Sequence, residues 1–275
     1  MITYPLSDLA LARRLERAEG TAARRIVEAR ARVVPARGAC WTEAGSVFAM
    51  FDGAASPVTQ TFGLGMAEPA TAAILGALEG FFAERGAPVN HEVSPVADPA
   101  TIALLVERGY HPIELTSVMY RPIAADLALA AVPSHVRVRP IGAGDALAWA
   151  ETAAAGWRDQ GADLSGFIHE TARTLAVAEG YQLFLAEIDG RPVAAGGLAF
   201  HDGVVLLAGA STIPQARRQG AQLALLHARL RYGVAAGCDL AMMGAQPGSG
   251  SQRNAERHGF RIAYTRIKWC RRSHL

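Results

Sequence analysis

Two adjacent arginines and a glycine stand between a predicted strand and a predicted helix. Residues 204–211 are almost entirely apolar, which is typical of a buried strand, and after Gln222 leucines recur at three- and four-residue steps, as on one helix face. Arg217, Arg218 and Gly220 lie between these elements. The first turn of a helix has unpaired N–H groups and a positive dipole end, and arginine offers forked donors that suit phosphate. The spacing therefore predicts a phosphate site, with an ordinary turn that carries solvated arginines as the alternative.

The same segment resembles the acetyl-CoA loop of the GNAT N-acetyltransferase superfamily. The resemblance rests on Thr212-x-Pro214-x-x-Arg217-x-x-Gly220-x-Gln222, in which a strand end is followed by a proline, an arginine, a glycine and a helix. Two positions depart from the family pattern. Thr212 stands where valine is usual, and Gln222 stands where glycine or alanine is usual. At the second position the longer side chain could crowd a pyrophosphate or donate to it.

A second segment supports the resemblance. Asn254 and the pair Gly259-Phe260 come later in the chain and are similar to the family's late asparagine and Gly-Phe segment. Together the two segments cover most of residues 135–270. The resemblance implies an α/β fold, in which a mixed sheet has helices on both faces, and it implies acetyl-CoA as the acyl-donor substrate.

The resemblance also implies which residues hold the coenzyme. Main-chain groups of residues 210–213 would bond to the pantetheine, and Asn254 would reach it from the other side. The N–H groups of residues 218–222 and the Arg217 side chain would meet the pyrophosphate. The implied coenzyme-binding residues are Ser211, Thr212, Ile213, Arg217, Arg218, Gln219, Gly220, Ala221, Gln222 and Asn254.

The implied reaction is direct transfer of an acetyl group from the thioester to a primary amine. The amine must lose a proton, the carbonyl oxygen needs a donor such as the N–H near Thr212, and the leaving thiolate needs a proton. The family often supplies that last proton from a tyrosine, at the position where this chain has Ala255. Ser211 is therefore a candidate acid, and Glu187 is a candidate base. The alternative candidate bases are His169, Glu170 and Asp163.

Composition and charge argue against several classes of protein. The chain has 275 residues, 51% of them hydrophobic, and its net charge of +2 gives no strong basic field for nucleic acid or for a membrane surface. The three cysteines show neither metal spacing nor a disulfide framework, so we expect no metal site and a cytoplasmic location. No Gly-x-Ser-x-Gly pattern indicates a hydrolase. The expected partner is an amine on a small molecule or a protein, and a homodimer is compatible with such a protein.

The order of predicted elements recurs along the chain. Arg108-Gly109-Tyr110 resembles His258-Gly259-Phe260, with the two glycines 150 residues apart. Two similar halves would explain the length of the chain. Residues 62–67 of the first half, Phe-Gly-Leu-Gly-Met-Ala, contain no basic side chain and are not expected to bind a pyrophosphate. The predicted divisions are a degenerate GNAT-like domain at residues 1–124, a linker at 125–134 and an acetyl-CoA-binding GNAT domain at 135–275.

Local patterns predict the boundaries of several elements. Residues 7–34 are predicted as one or two helices, with Ser7 as the N-cap, a break at Gly20 and a solvated face of arginines. Residues 44–51 are predicted as one strand, and Asp145 as a helix cap. Further predicted features are a hairpin at Asp189-Gly190, a helix from Pro69 to Arg85 and a short helix from Asp98 to Arg108.

Two classes of function remain open at this point. The intact Pro214-x-x-Arg217-x-x-Gly220 core and Asn254 favour an acyl-CoA-dependent N-acetyltransferase. The missing tyrosine and the unusual Gln222 favour a non-catalytic acyl-CoA-binding protein with a regulatory or scaffolding role. Coenzyme binding without turnover of any amine would distinguish the second class from the first.

Overall fold

The polypeptide folds into two compact units. The structure, a computed structural model, describes residues 3–158 and 165–271. The first unit contains Met1–Pro122 and Met242–Leu275, and the second contains Ile123–Ala241. The helices are α1 (Leu9–Val33), α2 (Ala72–Ala83), α3 (Ala100–Glu107), α4 (Ala146–Trp157), α5 (Ser165–Leu175), α6 (Ala221–Ala235) and α7 (Gly250–Arg257). The strands are β1 (Cys40–Ala44), β2 (Val47–Phe51), β3 (Gln60–Phe62), β4 (Val89–Val93), β5 (His111–Pro122), β6 (Val136–Ile141), β7 (Tyr181–Ile188), β8 (Arg191–His201), β9 (Val204–Thr212), β10 (Leu240–Ala245) and β11 (Arg261–Arg271).

A strand from the end of the chain completes the sheet of the first unit. The strand order in this unit is β1-β2-β3-β4-β11-β5-β10, where β10 belongs to the unit from Met242 onward. Strand β11 is antiparallel to both of its neighbours, with Trp269 opposite His91 of β4 and Thr265 opposite Ser117 of β5. Two strands from the first half of the sequence are therefore separated by a strand from the second half.

One buried arginine holds β11 in this place. The Arg266 side chain is 3% exposed and contacts three carboxylates, those of Glu16 at 3.1 Å, Glu19 at 2.8 Å and Glu92 at 2.8 Å. Two of these carboxylates come from α1 and one comes from β4. Because a buried guanidinium is costly unless carboxylates compensate its charge, this register of β11 is strongly preferred over one that leaves the cluster unpaired.

The carboxyl group of Glu16 is buried in the same cluster. Burial raises the pKa of Glu16 to about 7, although Arg266 lies beside it. Its Oε1 atom also accepts a hydrogen bond from the Tyr264 hydroxyl at 2.8 Å, whereas its Oε2 atom has no partner among the described residues. The cluster therefore holds a carboxyl group that titrates near neutral pH.

Replacing Arg266 with methionine should destabilise the protein strongly. The change keeps most of the side-chain volume but removes the common cation of Glu16, Glu19 and Glu92, which should cost about 3–5 kcal/mol of unfolding free energy at neutral pH. Because protonation of the carboxylates relieves their repulsion, the loss measured by chemical denaturation should be smaller at pH 5 than at pH 8. Arg257→Met, at an exposed position, is the control. Equal losses at the two pH values would contradict the ionic account.

The two halves of the sequence share one type of helix ending. Helices α3 and α7 are both followed by a glycine with positive φ, Gly109 at +80° and Gly259 at +78°. In both, the next residue, Tyr110 or Phe260, donates its N–H to the carbonyl five positions earlier at 3.0 Å and is buried. This is the left-handed ending that glycine permits at a helix C-terminus. The similarity seen in the sequence at these glycines is therefore present as the same local structure.

Helix α1 is one continuous helix, which corrects the predicted break and the predicted cap. Asp8, not Ser7, is the N-cap, and its carboxylate accepts a hydrogen bond from the first helical turn at 2.9 Å. Gly20 lies inside the helix, where a Cβ would be 3.1 Å from atoms of both Phe48 and Phe62. The glycine therefore permits α1 to pack closely against these aromatic side chains and does not end the helix.

Two other local predictions are wrong. Residues 44–51 do not form one strand, because Gly45, with φ +60°, turns the chain between β1 and β2. The arginines of α1 do not all lie on a solvated face. Arg30 is completely buried, and its Nε atom donates to Asp52 Oδ1 at 3.0 Å. A buried arginine is stable in this position because a carboxylate that is distant in sequence pairs with it.

Other parts of the first unit pack closely against the loop that follows β3. Met66 is buried, and its carbonyl accepts a hydrogen bond from Arg13 Nε at 2.6 Å. A Cβ at Gly65 would lie 2.2 Å from Thr101 Oγ1, so this loop is packed tightly against α3. These contacts occupy the part of the first half that would correspond to a coenzyme loop. The expectation that residues 62–67 do not bind a pyrophosphate stays a prediction.

The second unit is an antiparallel sheet in the order β9-β8-β7-β6, with helices on both faces. Helices α4 and α5 pack on one face, in a core that includes Trp149 and Leu185. Helix α6 packs on the other face, where the Tyr232 ring meets Phe184 edge-on with 5.4 Å between the centroids. The predicted hairpin at Asp189-Gly190 is confirmed as the connection between β7 and β8.

The compact units and the sequence halves divide the chain differently. Residues 242–275 belong to the second half of the sequence, yet they pack with the first unit. A compact unit reflects where contacts form, whereas the predicted division into 1–124, 125–134 and 135–275 concerns two repeats of one ancestral pattern. That division stays a prediction.

A carboxylate on α2 is the centre of a second ionic cluster in the first unit. Glu79 Oε1 accepts hydrogen bonds from Arg108 Nε at 2.9 Å and from the Tyr110 hydroxyl at 3.1 Å, and it pairs with Arg271 Nη1 at 2.7 Å. Burial alone would raise the pKa of Glu79, but the two arginines outweigh burial and lower the pKa to about 2. The carboxylate form is therefore favoured by folding.

Glu79→Gln should therefore lower the free energy of unfolding at pH 7, by about 1–2 kcal/mol. A carboxyl group whose pKa is lowered by folding stabilises the folded state above its ordinary pKa, and this contribution is lost as the pH falls towards 2. The difference between wild type and variant, measured by chemical denaturation, should shrink between pH 5 and pH 2. Glu84→Gln, at a side chain that is 74% exposed, is the control. A difference that is independent of pH would argue against the ion-pair explanation.

Candidate active site

The loop after β9 presents a row of unpaired backbone donors. Pro214–Ala216 form a short 3-10 turn, and α6 begins at Ala221 with Gly220 as its N-cap. Among the hydrogen bonds of the described residues, none is donated by the backbone N–H groups of residues 218–222, and the first helical bond runs from Ala224 N to Gly220 O. These groups lie at the positive end of the helix dipole, so the row is suited to an anion.

Two residues of this loop have the left-handed backbone conformation. Gly220 has φ +85°, and a Cβ there would be 2.5 Å from Pro133 Cγ, so both the conformation and the available space require glycine. Arg218 has φ +63°, which costs about 1 kcal/mol or more for a residue with a side chain. Strain of this kind clusters at ligand sites. Here it places an exposed arginine beside the row of N–H donors.

Strand β9 contains a bulge just before the loop. Its pairing with β8 passes from Gly197↔Ala208 to Ala195↔Ser211, so β9 has one extra residue, and the glycine after Ala208 has φ +61°. The buried Arg229 holds both strands at this point, because its Nη1 donates to Gly197 O at 3.1 Å and to Ala208 O at 3.5 Å. Burial lowers the pKa of Arg229 to about 10, so it is charged at neutral pH. Since a one-residue slip would exchange the faces of the strand end, Arg229 fixes which groups face the loop.

The Thr212 N–H points away from β8. Ile213 donates its N–H to Val193 O at 2.9 Å, and the alternation of an antiparallel ladder then turns the N–H of Thr212 to the other edge of β9. The Thr212 carbonyl accepts a hydrogen bond from Arg217 Nε at 3.3 Å. A backbone N–H turned to this edge of β9 is a donor of the kind that stabilises an oxyanion. Both backbone groups of Ile213 are engaged, because its carbonyl accepts from Ala216 N at 3.0 Å.

Ser211 and Thr212 lie against the end of helix α4. The Ser211 hydroxyl is buried and donates to Ala153 O at 3.1 Å. At Gly156 a Cβ would be 2.4 Å from Ser211 Oγ and 3.0 Å from Thr212 N. The geometry of the strand end therefore depends on the close approach of a helix that is distant in sequence.

The two arginines of the loop make different contacts. Arg217 donates to Thr212 O and, through Nη2, to Gly156 O at 3.3 Å, so it ties the loop to β9 and to α4. Arg218 is exposed and has no ion-pair partner among the described residues. Both side chains are exposed, but that of Arg217 is tied to two main-chain carbonyls, so the charge of Arg218 is the more accessible to a ligand. The predicted contact of Arg217 with a pyrophosphate stays a prediction.

Two glutamines lie within the cradle, which is defined here as residues 218–222. Gln222 is the second residue of α6, and its Oε1 atom accepts a hydrogen bond from the Thr212 hydroxyl at 3.2 Å. Gln219 is exposed, and its Nε2 atom donates to Gln215 O at 3.1 Å. The first glutamine thus links the strand end to the helix, whereas the second bonds within the loop.

The carboxylate of Glu187 is already paired. Arg139 Nε donates to Glu187 Oε1 at 2.9 Å, and Arg139 Nη1 donates to Asp145 Oδ2 at 2.9 Å. The hydrogen bonds from Asp145 and Glu187 raise the pKa of Arg139. Asp145 is the N-cap residue of α4, as predicted, but its side chain makes no cap hydrogen bond, because the carboxylate pairs with Arg139 instead. Glu187 as a catalytic base stays a prediction, and it would have to act from within this ion pair.

The remaining candidate residues lie elsewhere in the chain. His169 and Glu170 are partly buried on α5, and each has interaction partners. Asp163 lies outside the described residues. Asn254 lies on α7 in the first unit and is partly buried, and the neighbouring Ala255 is buried. The position at which the family often has a tyrosine hydroxyl is therefore an apolar, inaccessible one.

Neither a metal cluster nor a membrane span is found in the part of the chain that the structure describes. There, no three His, Cys, Asp or Glu side chains are placed to share a metal ion. No helix in those residues combines the length and the apolar character that crossing a bilayer requires. No disulfide links the three cysteines, all of which lie in the described residues, and Cys238 and Cys270 are buried.

Two residues that shape the site were not identified from the sequence. Arg229 lies among the leucines of α6, four residues after Leu225, and a lone charge on an apolar helix face is a usable signal of a buried polar contact. Gly156 carries a weaker signal, because a glycine in a predicted helix has several explanations. Only the three-dimensional contact with Ser211 explains it.

Comparison with known proteins identifies the fold through solved structures. No protein-family model matches the sequence, and no curated protein matches it. Solved structures do match. A GCN5-related N-acetyltransferase from Kribbella flavida has a TM-score of 0.64 and 21% identity, over 90% of this chain and 95% of that chain. A GCN5-related N-acetyltransferase from Sphaerobacter thermophilus has a TM-score of 0.55 and 17% identity, over 77% and 71%. A tandem GNAT protein from the clavulanic acid biosynthesis pathway has a TM-score of 0.56 and 15% identity, over 72% and 68%.

These matches confirm the predicted fold class. The chain has the GNAT fold, a mixed α/β architecture, and one of the matching structures is a tandem GNAT protein. At these identities the likeness concerns the fold. The function must be argued from the loop and the strand end described above.

Gly156→Ala should disrupt the strand end although it favours the helix. Alanine in the interior of a helix is normally preferred over glycine by about 1 kcal/mol. Here its Cβ would meet Ser211 Oγ at 2.4 Å and Thr212 N at 3.0 Å, so we expect a lower melting temperature. Gly76→Ala, in α2 with no atom within 4 Å of the new Cβ, is the matched control and should be neutral or stabilising. A stabilised Gly156→Ala protein would show that α4 does not approach β9 as described.

Proposed function

We propose that this protein is an acetyl-CoA-dependent N-acetyltransferase that transfers the acetyl group directly to a primary amine of a small molecule or a protein. The observation that carries the proposal is the row of unpaired N–H groups at residues 218–222, next to the outward N–H of Thr212 on a bulged strand. One part of this arrangement suits a pyrophosphate, and the other suits a thioester carbonyl. The GNAT fold supports the same function, because acetyltransferases share it.

In this proposal the coenzyme lies along the edge of β9 and ends at the cradle. The pyrophosphate oxygens accept hydrogen bonds from the N–H groups of residues 218–222, with the exposed Arg218 adding charge. The pantetheine amides bond to main-chain groups on the edge of β9 that faces away from β8. Asn254 stays a predicted contact to the pantetheine, on the strength of the family resemblance.

The proposed reaction needs one donor for the oxyanion and one path for a proton. The lone pair of the neutral amine attacks the thioester carbon, and the oxygen that becomes negative accepts a hydrogen bond from the Thr212 N–H. The C–S bond then breaks, an amide forms, and the thiolate takes up a proton that balances the one lost by the amine nitrogen. The products are the acetylated amine and free coenzyme A.

The two side chains predicted to move this proton already have hydrogen-bond partners. The Ser211 hydroxyl already donates to Ala153 O, and the Glu187 carboxylate already accepts from Arg139. Ala255 offers no hydroxyl. We therefore propose that water carries the proton, and that Ser211 and Glu187 are the side chains to substitute first in a test of catalysis.

A non-catalytic acyl-CoA-binding protein, with a regulatory or scaffolding role, is the second candidate. It is favoured by the same observation, namely that Ala255 and the paired Glu187 leave no evident acid or base. The two candidates differ in one measurable property. Release of free thiol from acetyl-CoA in the presence of a panel of amines supports the enzyme, and tight binding without any release supports the second candidate.

Replacing Arg218 with alanine should weaken acetyl-CoA binding about tenfold at low salt, which corresponds to about 1.4 kcal/mol. The reason is the loss of the accessible charge beside the pyrophosphate, so the difference should become smaller as the salt concentration rises. Calorimetric titration of the wild type and the variant measures both effects. Arg231→Ala, an exposed arginine on α6 far from its first turn, is the control and should bind like the wild type.

Two outcomes would count against the proposal. If the wild type shows no measurable binding of acetyl-CoA, the coenzyme has no place in the function of this protein. If the wild type binds but Arg218→Ala binds equally well, the phosphates lie somewhere other than this loop. Arg217→Ala should behave differently from Arg218→Ala, because it also removes the contacts to Thr212 and Gly156 and should lower the melting temperature.

A further inference from the structure

The two positions at which the loop departs from the family pattern contact each other. Thr212 is the last residue of β9, and Gln222 is the second residue of α6. The Thr212 hydroxyl donates to Gln222 Oε1 at 3.2 Å across ten residues of sequence. Two departures that form one hydrogen bond are a single structural feature of this chain.

This hydrogen bond orients the side-chain amide of Gln222. A hydroxyl can donate or accept, whereas an amide oxygen only accepts and an amide nitrogen only donates. With Oε1 bonded to the hydroxyl, the Nε2 atom is turned away from it, and no acceptor for its two N–H groups is found among the described residues. Gln222 is only partly buried, so these donors are accessible to a ligand.

The oriented amide stands beside the row of backbone donors. The backbone N–H of Gln222 is itself part of that row, and its side chain reaches back to the end of β9. The Nε2 atom is bonded to the same carbon as Oε1, and so it lies near the junction of the strand end and the first turn of α6. In the proposed function this junction is where the pantetheine arm meets the pyrophosphate.

The effect requires both residues. Valine at position 212 would have nearly the same shape as threonine but no hydroxyl, so Gln222 Oε1 would lose its donor and the amide would lose its orientation. Glycine or alanine at position 222 would bring no side-chain donor at all. Threonine and glutamine together therefore place an oriented amide donor in the cradle, which neither residue would do alone.

We propose that Gln222 is a coenzyme-binding side chain, whose amide N–H groups donate to a pyrophosphate oxygen of acetyl-CoA, and that Thr212 positions it. This inference rests on the proposed function and assigns an attractive role to the larger side chain. A phosphate oxygen is a charged acceptor, and a hydrogen bond to it is stronger than one between neutral groups. Gln219, whose amide donates to Gln215 O, does not have this role.

The alternative role for Gln222, which its size alone would suggest, is to obstruct the pyrophosphate. A side chain larger than alanine in the first turn could fill space that the pyrophosphate needs, and its removal would then tighten binding. The contact with Thr212 argues against this, because it draws the end of the side chain towards β9. The sign of the effect of Gln222→Ala on affinity therefore decides between the two roles.

The test is calorimetric titration of the wild type, Gln222→Ala and Gln222→Glu with acetyl-CoA and with S-acetylpantetheine, which has no pyrophosphate. Gln222→Ala should weaken acetyl-CoA binding about fivefold to tenfold and leave the affinity for S-acetylpantetheine within about twofold. Gln222→Glu keeps the size of the side chain and an acceptor for Thr212, but its charge repels the phosphates, so the loss should be larger still. Gln215→Ala, at an exposed glutamine in the 3-10 turn, is the matched control.

A double-mutant cycle tests the positioning role of Thr212. Thr212→Val should weaken acetyl-CoA binding by a smaller factor than Gln222→Ala. The double variant should be no weaker than Gln222→Ala alone, because the hydroxyl acts through the amide. Thr212→Ser, which keeps the hydroxyl, should restore most of the affinity. Melting temperatures of all variants show whether the fold is retained.

The outcomes separate this inference from the proposed function. Binding that is unchanged or tighter in Gln222→Ala overturns the inference and leaves the proposed function in place. An equal loss for both ligands also overturns it, because the side chain would then not act on the pyrophosphate. Additive losses in the cycle overturn the role of Thr212. A wild type that does not bind acetyl-CoA refutes the proposed function and this inference together.

Discussion

The ion cluster around Arg266 is the constraint on which the arrangement of the first unit depends. A guanidinium keeps its proton at neutral pH, so in the interior it needs acceptors that compensate its charge, and carboxylates do this best. Glu16 and Glu19 on α1 and Glu92 on β4 supply that environment at one place, between β4 and β5. Strand β11 must therefore occupy this place, and α7, which precedes it, is carried into the same unit.

A second buried arginine has a related effect in the second unit, with different partners. Arg229 bonds to the carbonyls of Gly197 and Ala208 and to that of Leu225, all of them main-chain acceptors. It therefore fixes the backbone where β9 has its extra residue. The orientation of the strand end follows, with the Ser211 hydroxyl bonded to α4 and the Thr212 N–H turned to the edge away from β8. The cradle and its strained Arg218 come directly after this point, so the chemistry proposed for the loop depends on a contact in the core.

The sequence predicted best those features that are set by neighbouring residues. The helix endings at Gly109 and Gly259, the hairpin at Asp189-Gly190 and the helix N-terminus after Gly220 all follow from local backbone preferences. Most of the predictions that were wrong concern residues whose partners lie on another element, and one, the single strand at residues 44–51, has a local cause. Gly20 was taken for a helix break because the aromatic side chains it contacts lie on β2 and β3. A cap hydrogen bond was expected of Asp145 because its ion pair with Arg139 on β6 was not foreseen. Residues 44–51 were taken for one strand although Gly45 is a turn.

The sequence by itself determined the fold class, through the resemblance of its motifs to one family. It also determined the position of the loop that we propose binds an anion, because glycine, proline and arginine at fixed spacing limit the backbone and supply donors locally. Only the tertiary structure decided which unit receives β11, which N–H groups at the end of β9 point away from β8 and how Gln222 is oriented. These three features depend on contacts of Arg266, Arg229 and the Thr212 hydroxyl with groups that are remote along the chain or lie on another element. The physical reason is that a buried polar group is satisfied by whatever partner packing brings to it, and spacing along the chain does not encode that partner.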